Sequence, residues 1–121
     1  MSRYTLFFSL LLCSLLVNSE ATNPNIHKES FENGNPKYEI SYKNKLKHGK
    51  EIFWYESGNK KMQSHFVNGI ENGSWKQWYE NGQVKSEVKF IDGIKEGTET
   101  VWNKNGTVRS KDQYINGKVI K

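Results

Sequence analysis

The stretch "GSWKQWYENGQVKSEVKF", residues 73–90, carries two runs rich in aromatic and β-branched residues on either side of Asn81-Gly82. Such runs favour strands, and Asn-Gly tolerates the positive φ angles of a two-residue type I′ turn, so the stretch reads as a β-hairpin. With Asn81 and Gly82 as the turn, Trp78 falls opposite Lys85, Trp75 opposite Val88 and Gly73 opposite Phe90. Opposed residues share a face of an antiparallel pair. The hairpin therefore sorts into a face with Trp75, Gln77, Tyr79, Val84, Ser86, Val88 and Phe90, and a face with Lys76, Trp78, Lys85, Glu87 and Lys89.

The hairpin is one copy of a repeat. Gly34, Gly58, Gly82 and Gly106 recur with a period of twenty-four, and the same period links Gly49, Gly73 and Gly97, and Gly69, Gly93 and Gly117. Trp54, Trp78 and Trp102 follow it, as do Tyr42, Phe66, Phe90 and Tyr114, and Lys37, Lys61, Lys85 and Arg109. About three and a half copies fill residues 34–121, and Ile26 to Asn33 resembles a fragment of an earlier one. Each copy holds two turn motifs, one of the Asn81-Gly82 kind and one of the Asn68-Gly69, Asp92-Gly93 or Asn116-Gly117 kind. Every turn reverses the chain, so the copies concatenate into an all-β, single-layer antiparallel meander in which each hairpin pairs with its neighbours. Only Pro24 and Pro36 could interrupt pairing, and both lie near the start.

The first residues do not belong to this pattern. Arg3, an apolar run from Leu6 to Val17, and small residues at Ser19 and Ala21 have the layout of a secretory signal peptide. The run is too short for an ordinary transmembrane helix, which needs roughly 17 to 25 residues. Cleavage is expected after Ala21, giving a signal peptide over 1–21, a short linker over 22–30 and a repeat domain over 31–121, secreted or periplasmic. Cys13 is the only cysteine and leaves with the signal peptide, so the mature chain has neither a disulfide nor a thiolate site. Loss of Arg3 and Glu20 together keeps the net charge at +5, spread along the chain without a basic run. That excess suits acidic partners or anionic surfaces; a nucleic-acid ligand is not expected.

Two columns stand out. Gly49, Gly73 and Gly97 face Phe66, Phe90 and Tyr114, a pairing in which a ring lies across a bare strand glycine, so these positions are expected to be structural. On the other face Trp54, Trp78 and Trp102 are expected beside Lys61, Lys85 and Arg109, which places a cation against each indole. This ladder either stabilises a thin sheet or forms a docking strip. Among candidate catalytic groups, His27, His48 and His65 have no metal-ligand spacing, and the glycine motifs are turn chemistry rather than phosphate loops. No enzyme activity, metal or cofactor is expected.

Residues 54–97, "WYESGNKKMQSHFVNGIENGSWKQWYENGQVKSEVKFIDGIKEG", resemble the MORN-repeat family, most closely its bacterial variant type, and the resemblance extends over residues 31–117. The matching positions are Trp54, Tyr55, Gly58, Phe66, Gly69, Gly73 and their equivalents in the later copies. The resemblance implies a rod-like or curved single sheet of hairpins. Bacterial members are often catalogued as antitoxins of toxin-antitoxin systems, and eukaryotic ones act as scaffolds or are credited with binding phospholipid. Three positions depart from the pattern: Asn103 stands for Tyr, Lys45 for Gly and Ser30 for Trp. The reading that follows is a module that binds an unidentified protein partner through the aromatic and basic face of Trp54, Lys61, Trp78, Lys85, Trp102 and Arg109. Attachment to anionic lipid or an acidic polymer, an antitoxin-like neutralising role, and a self-associating rod are the alternatives.

Overall fold

The computed structural model describes residues 24–120. The expected signal peptide and its cleavage site lie outside the described residues. Ten strands form one sheet, and no helix occurs among the described residues. They are β1 (Asn25–Ser30), β2 (Pro36–Lys43), β3 (Leu46–Trp54), β4 (Lys60–Val67), β5 (Ile70–Glu71), β6 (Gly73–Trp78), β7 (Val84–Ile91), β8 (Ile94–Trp102), β9 (Val108–Ile115) and β10 (Lys118–Ile120). The order across the sheet is the order in the chain, with β5 beside β4 as a short prelude to β6, and every pairing is antiparallel. Residues 25–30, expected within a linker, form the edge strand β1, because Asn25 to Ser30 stand one repeat period before Gly49 to Trp54 and adopt the same pairing.

The two kinds of turn are different objects. Asn68, Asp92 and Asn116 all have φ near +48°, each followed by a glycine with positive φ, as a type I′ turn requires. Asn44-Lys45 makes the same turn, with Lys45 held at φ 64° where the other copies have glycine. The Asn81-Gly82 turn departs from the sequence expectation. Gly82 N–H donates to the Tyr79 carbonyl and Tyr79 N–H to the Gln83 carbonyl, and only Gly82 has positive φ. Glu80, Asn81 and Gly82 are thus a three-residue loop, a type I turn closed by a left-handed glycine. The loops at Gly34, Gly58 and Gly106 share these bonds.

A three-residue loop shifts the pairing by one. Trp78 consequently opposes Val84, whereas Gln77 opposes Ser86, and Lys85 between them is a β-bulge. The bulge cancels the shift, so Trp75 faces Val88 and Gly73 faces Phe90 as the sequence predicts. Lys61 and Arg109 are bulged in the same way, as Lys37 is in the first hairpin.

Pairing and alternation define two faces. The first carries Tyr38, Ile40, Tyr42, Phe53, Met62, Phe66, Trp75, Val88, Phe90, Val101 and Tyr114, with Glu51, Ser64, Glu71 and Ser86 among them. Of the five residues that are buried among the described ones, four lie here: Val88, Ser64, Glu51 and Ser86. No second layer covers them among the described residues, so these groups lose solvent to their own neighbours in the sheet. The second face carries the charged rungs Lys28–Glu39 and Lys76–Glu87, each an ion pair, together with Ile52, Trp54, Trp78 and Trp102.

Candidate functional site

The loops tie one copy to the next. Tyr55 and Tyr79 hydroxyls donate to the main-chain carbonyls of Trp78 and Trp102 at 2.9 and 2.8 Å. Asn59 and Asn81 amides donate to the Glu80 and Lys104 carbonyls at 2.8 and 3.0 Å. Asn81 also accepts from the Gln83 N–H through its own Oδ1, so this asparagine shapes its loop and bonds to the next. Phe31 occupies the position of Tyr55 in the preceding copy and has no hydroxyl to make the equivalent bond.

The expected ladder of indoles beside cations is rearranged by the bulges. Trp54 opposes Lys60, Trp78 opposes Val84 and Trp102 opposes Val108; Lys61, Lys85 and Arg109 are the bulged residues one position beyond. Val84 accordingly lies on the indole face. The bulge turns Lys61 and Lys85 toward tyrosines, with their ammonium groups 5.6 and 5.7 Å from the ring centres of Tyr55 and Tyr79. Arg109 has Asn103 at that place and lacks the ring. Trp78 takes its cation from the preceding copy, Lys60 at 5.8 Å. Indoles and bulge cations are therefore two separate rows. Gly49, Gly73 and Gly97 do oppose Phe66, Phe90 and Tyr114.

The first face holds an arrangement that the sequence reading did not single out. Lys47 pairs with Glu51, and its ammonium stands 4.9 Å from the centre of the Phe66 ring. Two copies later Lys95 pairs with Glu99 at 2.9 Å and stands 4.9 Å from the Tyr114 ring. Glu51 is 5% exposed and also accepts from the Ser64 hydroxyl at 3.1 Å. For Lys95, burial pulls the ammonium pKa down, but hydrogen bonding and charge from Glu99, with Tyr114, outweigh it and leave the group above its ordinary value.

The copy between them breaks the pattern: Glu71 stands for the lysine and Trp75 for the glutamate. Glu71 opposes Phe66 and makes no ion pair among the described residues. Burial, then the nearby Glu51, raise its pKa above the ordinary carboxylate value, and Lys47 offsets part of this. No cation stands over Phe90 among the described residues. The columns Lys47, Glu71, Lys95 and Glu51, Trp75, Glu99 keep the repeat period and could have been found in the sequence.

The histidines have local partners. His48 Nδ1 accepts from the Asn68 N–H, and His65 Nδ1 lies 3.2 Å from the Ser74 carbonyl. No group of three His, Cys, Asp or Glu side chains converges among the described residues. One cavity of about 440 Å³, lined by Asn25, His27, Tyr42, Asn44 and Lys45, opens at the N-terminal end of the first face.

A family model described as a MORN repeat variant matches residues 25–44, 47–68, 71–92 and 95–116. The four segments follow the hairpins in register, and together they span most of the chain. No curated protein matches it.

Proposed function

We propose that this chain, which belongs to the MORN-repeat variant family, is a binding module that receives an elongated segment of a partner protein on its first face. Repeats of the family are non-catalytic modules that generally mediate protein or membrane-lipid contacts. The observation that carries the proposal is the aromatic row Tyr38, Phe53, Phe66, Trp75, Phe90 and Tyr114 on a sheet that has no second layer among the described residues. A sheet ordinarily packs its apolar face against another element. Here a partner would supply that element, and the chain itself would perform no catalysis. The layout of residues 1–21 supports action outside the cytoplasm; N-terminal sequencing of the mature protein would then begin at Thr22.

The test is capture by the immobilised protein from extract, followed by titration of the purified captured protein. Trp75→Ala, checked for retained β-structure, is expected to abolish capture, whereas Trp78→Ala on the opposite face retains it. Loss with Trp78→Ala and retention with Trp75→Ala would transfer the role to the indole face.

A second reading has its own observation. Leu46, Val67, Ile70, Ile91, Ile94 and Ile115 line the type I′ edge of the second face, each 43–51% exposed, with the exposed Lys43, Lys50 and Lys89 on the same side. Exposed apolar rows of this kind mark interaction surfaces, and the lysines suit an anionic headgroup layer. Sedimentation with anionic vesicles, lost in salt and absent with neutral vesicles, would favour this reading.

A further inference from the structure

The three successive copies of the first face are an internal comparison. In two of them an ammonium lies over an aromatic ring and is held by a carboxylate: Lys47 over Phe66 with Glu51, and Lys95 over Tyr114 with Glu99. In the copy between, the ring is Phe90, the carboxylate is Glu71 and the fourth residue is Trp75. The ring remains, a carboxylate takes the lysine's place and an indole the glutamate's, and no ammonium stands over this ring among the described residues: Lys95, the strand partner of Phe90, is engaged by Glu99 and Tyr114.

We propose that Glu71, Trp75 and Phe90 form a recognition site for the side-chain cation of a lysine or arginine presented by the partner. A cation desolvated against an aromatic face gains more than at an exposed site, and Trp is the strongest such surface. Glu71 adds charge complementarity and has no ion-pair partner of its own among the described residues. Lys47 and Lys95 flank the site, but each is engaged by its own glutamate. The site therefore selects a single cation at a fixed distance from the apolar contacts, which sets the register of the partner segment. Its biological partner rests on the proposed function, whereas its chemistry does not.

The probe is Nα-acetyl-lysine amide, with neutral Nα-acetyl-norleucine amide as control, titrated into the isotope-labelled full chain. The lysine probe is expected to displace the Trp75 indole N–H and the Glu71 and Phe90 amide resonances in a saturable way, with the norleucine probe at least about fivefold weaker. Glu71→Gln is expected to weaken the lysine probe about fivefold. The double variant Glu71→Lys/Trp75→Glu rebuilds the flanking pair and should abolish the saturable response. Equal response to the two probes, unchanged affinity in Glu71→Gln, or displacement centred on Trp78 and its face would overturn the inference. Probe binding by a chain that captures no protein through the first face would break the proposed function and leave this inference standing.

Discussion

The two long edges of the sheet solve the same problem differently. Along one, three-residue loops are joined by side chains: Asn81 and Tyr79 reach main-chain carbonyls of the following copy. Along the other, two-residue turns are joined by main chain and packing. Gly69, Gly93 and Gly117 N–H groups donate to the carbonyls of Lys47, Glu71 and Lys95, and Ile70 and Ile94 lean on the next turn. The same dipeptide thus encodes a side-chain bonding post at one edge and a close backbone approach at the other. At the first edge the asparagine does the joining; at the second it is the glycine.

Substitutions sharpen that contrast, and urea unfolding measures it. Gly93 has φ +79°, and an added Cβ would lie 3.3 Å from the Ile70 Cγ2, so Gly93→Ala combines left-handed strain with crowding and is expected to cost about 2 kcal/mol. Gly82 has a similar φ, +87°, but open space where the Cβ would go, and Gly82→Ala should cost about 1 kcal/mol. Equal costs would mean that the second edge yields freely. Asn81→Ala removes both the internal loop bond and the bond to Lys104, for about 1 kcal/mol, whereas Asp92→Asn keeps a residue tolerant of positive φ and should stay within about 0.5 kcal/mol. Tyr79→Phe should lose somewhat under about 1 kcal/mol with its hydroxyl bond. In the other direction, Phe31→Tyr supplies the missing hydroxyl to the Trp54 carbonyl and should gain about 0.5 kcal/mol.

The smallest effect is a pH dependence on the first face. The folded pKa of Glu71 lies above its unfolded value, so its contribution to stability is present at acid pH and is lost as pH rises through the folded value. Glu71→Gln should therefore gain stability relative to the natural chain at neutral pH, with the gain shrinking as pH falls through the carboxylate range. Glu51 and Lys47 lie beside it, so the comparison is made between variant and natural chain at each pH. A difference independent of pH would show that burial of the charged form is not what raises this group.

Much of this was legible in the residues. The repeating columns give the meander, the type I′ turns and the opposition of Gly73 and Phe90, because glycine and asparagine report backbone geometry directly. Loop length was not legible: Asn81-Gly82 fits a two-residue turn and the end of a three-residue loop equally well. The error stayed local, displacing Val84 and separating Trp78 from Lys85, because the bulge restores the register one residue later. The replacement of a lysine by Glu71 and of a glutamate by Trp75 is visible at the repeat spacing. That Phe66, rather than Phe90, is the strand partner of Glu71 depends on strand pairing, which spacing does not state.

A strand order identical to the chain order has a mechanical consequence. Each described strand pairs only with its immediate neighbours, and the two ends of the described chain lie at opposite ends of the sheet. Pulled by its termini, the molecule would peel from the outside inward, each copy releasing up to about 80 Å of slack in a small step of its own. It would unwind under load as a spool does, and a segment anchored in the middle of the first face would be the last to be let go.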